Sequence, residues 1–130
     1  MKRAITSDRA PKAVGPYSQA VAFGDLVFCS GQIPLDPTSG EISGSDAAAQ
    51  TERVIENIKA VLAVNSMTLT DVIKTTVYLT TMDDFAAMND VYARHFTQPF
   101  PARSTVAVVA LPRGAKVEIE VTAARGATKA

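Results

Sequence analysis

The sequence predicts an α+β fold, one mixed sheet with two helices packed on one of its faces. Three observations carry this. The spacing of apolar residues switches between a period of two and a helical stripe, in the order β-β-α-β-α-β-β. At 130 residues the chain is about one ordinary domain long, so a single domain over 1–130 is expected. With 47% hydrophobic and 20% charged residues it belongs among soluble globular chains that build their own core.

Each element has its own signal. A short first strand is expected near Arg3 to Thr6. APKAVGPYS, rich in Pro and Gly, reads as an ordered loop. AVAFG and LVFCSG are apolar runs joined by Gly24-Asp25, a hairpin turn of the Gly-Asp kind. QIPLDPTSGEISGS is dense in turn formers and reads as a surface loop. From Asp46 the period changes: Val54, Ile58, Val61 and Leu62 form one stripe on a helix that Ser45 or Asp46 can N-cap. DVIKTTVYLTT is rich in β-branched residues, with Ile73, Thr75, Val77 and Leu79 alternating against Val72, Lys74, Thr76 and Tyr78. DDFAAMNDVYARHF returns to helical spacing through Phe85, Met88, Tyr92 and Phe96, with acidic residues in its first turn. RSTVAVVAL and KVEIEVTAA are two strands joined by PRG, and the tail GATKA is expected to fray. Helices on one sheet face leave the other uncovered, and so apolar a chain is expected to bury that face against copies of itself.

Composition excludes several function classes. Thirteen Lys+Arg balance thirteen Asp+Glu, and the basic residues are scattered, so nothing gathers a phosphate backbone and no nucleic-acid partner is expected. One cysteine, Cys29, forbids an internal disulfide and argues against a cysteine-based zinc site. It lies in an apolar run without a basic neighbour, which suits a buried inert thiol. His95 is the only histidine, so neither a Ser-His-Asp triad nor a multi-His metal site is expected. No apolar h-region or membrane-length run is found, and the expectation is a cytoplasmic protein without membrane partner, metal or cofactor.

The residues that could carry chemistry are few. Arg103 opens an apolar strand, sharing a face with Thr105. It is either a strand-end cation reaching water or a buried one that needs an anion, and its planar fork suits a carboxylate. Glu118 and Glu120 alternate with Val117, Ile119 and Val121, as a solvated face or as one that meets a partner subunit. Ser30-Gly31 ends a buried strand where a ligand could approach the backbone, and Tyr17 supplies a phenol that could cap a small pocket.

Together GPYSQAV, VFCSGQIPLDPTSGEI, the NI of ENIKAVL, DVIKTTVYLTTMDDFAAMNDVY and FPARSTVAVVALPRGAKVEIEV resemble, in order, the RidA (YjgF) family of reactive-intermediate deaminases, from about Ile5 to Ala124. The resemblance implies a chorismate-mutase-like fold with the last strand inserted among earlier ones, and a homotrimer with clefts between subunits. It also implies hydrolysis of 2-imino acids, or enamine tautomers such as 2-aminoacrylate, to 2-oxo acids and ammonia without a cofactor. Carried over by position, the arginine that takes the substrate carboxylate matches Arg103 and the water-positioning glutamate matches Glu118. Tyr17 matches the tyrosine lining the cleft, Ser30 and Gly31 the backbone site, and Asn89 the cleft asparagine. Thr105 departs from the pattern, standing where many members have cysteine; it offers a hydroxyl to the same site, and Cys29, on another strand, does not replace the thiol. The alternatives are a trimer that binds a small carboxylate or keto acid without turnover, or acts as a regulatory partner, and, disfavoured by the neutral charge, an RNA-cleaving or translation-inhibiting protein.

Overall fold

The last strand of the chain lies in the middle of the sheet. The computed structural model describes residues 1–127, so the end of the tail expected to fray, 128–130, is outside the described residues. Strands β1 (Arg3–Ile5), β2 (Ala20–Phe23), β3 (Leu26–Cys29), β4 (Val72–Leu79), β5 (Ala102–Ala107) and β6 (Val117–Ala124) form one sheet in the order β1-β2-β3-β6-β4-β5. Only β4 and β5 are parallel, because a helix, α2 (Phe85–His95), makes the crossover between them. The insertion of β6 between β3 and β4 is the arrangement that the resemblance implied.

The helix-facing side of the sheet forms the core. Val117, Ile119, Val121 and Ala123 of β6 are buried and alternate with Glu118, Glu120 and Thr122 on the other face. The first helix, α1 (Ala47–Val64), is capped by Asp46, whose carboxylate accepts the Ala49 N–H at 2.8 Å. Its expected stripe, Val54, Ile58, Val61 and Leu62, is fully buried.

Two local expectations change. A bulge between Val72 and Lys74 shifts the β4 alternation by one residue. The buried row is therefore Val72, Thr75, Val77 and Leu79, while Ile73 turns outward. Ahead of α2, Thr81 caps a short 3-10 turn, Met82–Asp84, so Asp83 and Asp84 precede the helix instead of occupying its first turn. Met88, Tyr92 and Phe96 are buried as the spacing requires, and Phe85 packs at the margin of the core.

Among the described residues the opposite sheet face carries no helix. In the β2–β3 hairpin Val21 pairs with Phe28 and Phe23 with Leu26, and Phe23, Phe28 and Val106 are exposed. Among the described residues no helix is long and apolar enough to cross a membrane.

Candidate functional site

Arg103 is the second residue of β5, and its parallel register with Thr75 puts it on the helix side of the sheet. Its Nη1 donates to Asn89 Oδ1 at 2.8 Å. The guanidinium carbon lies 4.7 Å from the centre of the Tyr92 ring and 5.6 Å from that of Phe85. Phe85, Asn89, Tyr92 and Phe96 follow one another at helical spacing, so a single face of α2 makes this bed. Tyr92 is fixed in turn by stacking on Phe96, with ring centres 4.2 Å apart, and by a 2.8 Å hydrogen bond between its hydroxyl and that of Thr75. Burial raises the Tyr92 phenol above its usual range, although the Thr75 hydroxyl and the Arg103 cation pull the other way.

Among the described residues no carboxylate stands within ion-pair distance of Arg103. It lines a pocket of about 420 Å³ together with Asn89, Tyr92, Ala93, Phe100 and Pro101. Two residues along the same row, Thr105 has a buried Oγ1 without a hydrogen-bond partner among the described residues. Sequence reasoning took the aromatic stripe only as core and missed Tyr92 and Phe100 beside the arginine. Their signal is long-range: the strand that follows α2 runs back along it.

A second cluster surrounds Glu118, which stands opposite Tyr78 on the helix-free face of the sheet. Gly31 packs directly against it. A Cβ built on Gly31 would lie 2.8 Å from the Glu118 carboxyl carbon and closer still to Oε2. Gln32 pairs with Ile119 through both its N–H and its C=O, holding Gly31 over β6. Ser30 stitches the Gly15-Pro16-Tyr17 loop to the end of β3: its Oγ donates to the Ser18 carbonyl at 2.6 Å and its N–H to the Gln19 carbonyl at 2.9 Å. In that loop Gly15 takes a φ of +123°, and the half-exposed Tyr17 holds the turn through its N–H to the Gly15 carbonyl at 2.9 Å. Burial first, and the charge of Glu120 second, raise the Glu118 carboxyl above the usual carboxylate range.

The two clusters lie on opposite faces of the sheet. Arg103 shares a row with Thr75 and Val121, and Glu118 shares one with Tyr78 and Val106. One chain therefore groups Arg103 with Asn89 and Thr105, and separately groups Glu118 with Gly31, Ser30 and the Tyr17 loop.

Two other groups have structural explanations. Cys29 is buried, and burial pushes its thiol up to about 12, as suits an inert side chain. Glu52, Glu56 and His95 bring ligand atoms within 4.8 Å of one another between the helices. Glu52 is already engaged by His95 at 2.8 Å and Arg94 at 3.7 Å, and Glu56 by Lys59 at 3.2 Å, an ion-pair network linking α1 to α2.

The family model described as Endoribonuclease L-PSP matches residues 7–125. Protein DfrA of Myxococcus xanthus is 55% identical over 124 residues, covering 94% of this chain and 95% of its own. The 2-iminobutanoate/2-iminopropanoate deaminase of Escherichia coli K12 is 41% identical over 128 residues, covering 96% and 99%. The crystal structure of E. coli TdcF with bound serine superimposes with a TM-score of 0.89 at 42% identity, covering 95% of this chain and 98% of that one. Likeness of this extent, in sequence and in fold, means that the chain belongs to the endoribonuclease L-PSP family, the YjgF/RidA proteins.

Proposed function

We propose that the protein hydrolyses small 2-imino acids and their enamine tautomers, such as 2-iminobutanoate and 2-aminoacrylate, to 2-oxo acids and ammonia. The observation that carries this reading is Arg103: an oriented guanidinium beside a small pocket, resting on aromatic rings and, among the described residues, without a carboxylate of its own. The identity to a relative named as such a deaminase supports it. A homotrimer completes the site, one subunit supplying Arg103, Asn89 and Thr105 and its neighbour Glu118, Gly31, Ser30 and Tyr17. The opposite-face arrangement within one chain and the exposed apolar side chains of the helix-free face support that assembly.

The chemistry asks little of the protein. An imine carbon is already electrophilic, so neither a covalent nucleophile nor a cofactor is needed. Arg103 holds the substrate carboxylate, and the Thr105 hydroxyl beside it can donate a further hydrogen bond. Glu118 takes a proton from water as the water oxygen bonds to the imine carbon. The π pair of the protonated imine moves to nitrogen; the proton then passes from Glu118 to that nitrogen, the C–N bond breaks as ammonia leaves, and the adduct's hydroxyl gives its own proton back to Glu118 as the carbonyl forms. Among the described residues the Gly31 N–H meets no backbone acceptor, and it can donate to the adduct; Tyr17 screens the pocket.

A coupled assay tests this reading: threonine dehydratase and threonine generate the imine, and 2-oxobutanoate release is followed. Wild type should accelerate release. Arg103→Ala should lower kcat/KM roughly ten- to a hundredfold, as expected for losing a charged hydrogen-bond pair. Glu118→Gln should lower kcat about a hundredfold or more, the usual contribution of a positioned base. No acceleration by wild type moves the reading to a carboxylate-binding module, and acceleration that survives Arg103→Ala places the site elsewhere.

A further inference from the structure

The helix-free face carries a second carboxylate to which the proposed reaction assigns no task. Glu120 follows Glu118 by two residues on β6, so the pleat puts both on one face, about 7 Å apart along the strand. Their surroundings differ. Glu120 Oε1 accepts the Tyr78 hydroxyl at 2.7 Å, and a donor on a carboxylate favours its charged form. Tyr78 stands across the ladder from Glu118 and Thr76 across from Glu120, so the Tyr78 side chain reaches along the strands from one carboxylate's row to the other's. Glu118 accepts no hydrogen bond from the described residues and is packed on Gly31. Two neighbouring carboxylates, one supplied with a donor and one denied it, take up protons at different pH. A charge on the first favours the proton on the second.

We propose that Glu120, oriented by its hydrogen bond from Tyr78, is a positioning residue whose charge raises the proton affinity of Glu118. It suits Glu118 to take the proton from water and return it to the departing nitrogen. This deepens the deaminase reading and rests on it. The direction of the Glu118 carboxyl, raised by burial and then by Glu120, agrees, as does that of the Tyr78 phenol, raised chiefly by its bond to Glu120. Among the described residues of one chain Lys74 on β4 is the cation of this face, its ammonium held by the Thr75 carbonyl at 2.8 Å and the Thr76 hydroxyl at 3.0 Å, in the direction of Glu120; in the proposed trimer the neighbouring subunit's arginine at the position of Arg103 also faces Glu118, in wild type and in both variants alike. The Tyr17 hydroxyl accepts the Val14 N–H at 3.4 Å within its own loop. β3 and β5 present only Leu26, Phe28, Ala102, Ser104 and Val106 to this face, none of them titratable.

The test is the pH profile of kcat/KM for deamination by wild type, Glu120→Gln and Tyr78→Phe, with melting temperatures alongside. Glu120→Gln should move the limb that belongs to Glu118 to lower pH while the plateau rate is kept, and Tyr78→Phe should move it the same way by less. A merely structural role lowers the rate equally at every pH. Superimposed wild-type and Glu120→Gln profiles, or a limb displaced to higher pH, overturn the proposal. If wild type deaminates nothing, the deaminase reading fails by itself. The proton affinity of Glu118 is then read by carbon-13 NMR of the labelled carboxyl, assigned with Glu118→Gln, and the same displacement in Glu120→Gln is required.

Discussion

A methyl group added at Gly31 would enter the volume that the Glu118 carboxyl occupies, although nothing in the backbone there demands glycine, since its φ lies outside the left-handed region. What obstructs the methyl is the end of a flexible side chain, which can turn away. Gly31→Ala should therefore leave stability within about 0.5 kcal/mol of wild type. Deamination should nevertheless fall roughly a hundredfold, as expected when a reacting group is moved by an ångström. Calorimetry and kcat/KM measured together check this, and a destabilised but fully active variant would remove Glu118 from the mechanism. At this scale the sequence was partly legible. Arg103 stood out because a cation in an apolar run needs an explanation, and the structure exposes it at the strand start while resting its guanidinium on the Tyr92 ring. Glu118 and Glu120 were indistinguishable by alternation alone; only packing against Gly31 and the bond from Tyr78 tells them apart.

Elements were readable where hydrophobic periodicity alone decides them, and misread where a local irregularity intervenes. The α1 stripe came out residue by residue because a helix that buries one face must repeat at its own pitch. On β4 the bulge inverted the outward and inward assignment of Val72 and Ile73, and no composition signal marks a bulge. The position of β6 was equally hidden from periodicity, since strand order is a long-range pairing choice, and it came only through the family resemblance. The loop between β3 and α1 illustrates a tertiary tie of this kind. Asn57, fully buried on α1, donates through Nδ2 to the carbonyls of Leu35 at 3.0 Å and Ile33 at 3.3 Å, and its Oδ1 accepts from Arg53 at 3.1 Å. Asn57→Ala removes these bonds and leaves the carbonyls under the helix without their donor. Unfolding in urea should show a loss of about 2–3 kcal/mol with an unchanged slope. A loss under about 0.5 kcal/mol would mean that water replaces the amide and that the loop does not depend on it.

For the whole molecule the decisive fact is that Arg103 and Glu118 face away from each other across one sheet. Arg103 and Glu118 could be picked out from the chain, but not Tyr92 and Phe100 beside the arginine, nor the division into two clusters, because facing depends on the register of β5 and β6 against β4. If one catalytic centre uses both residues, two chains must supply them, and that yields a quantitative expectation. Arg103→Ala and Glu118→Gln copies, each strongly impaired alone, should regain activity when unfolded together in equal amounts and refolded. In a cyclic assembly with random neighbours, a site is intact only when an Arg103-bearing chain precedes a Glu118-bearing one, which happens at about one quarter of the sites. The refolded mixture should thus reach about one quarter of the wild-type rate per site, with an unchanged KM, because every restored site is complete. Mixing without unfolding should restore nothing until subunits exchange. A refolded mixture no more active than its components would mean that both side chains act within one chain, or that one of them has no part in the reaction, and the kinetics of the single variants decide which.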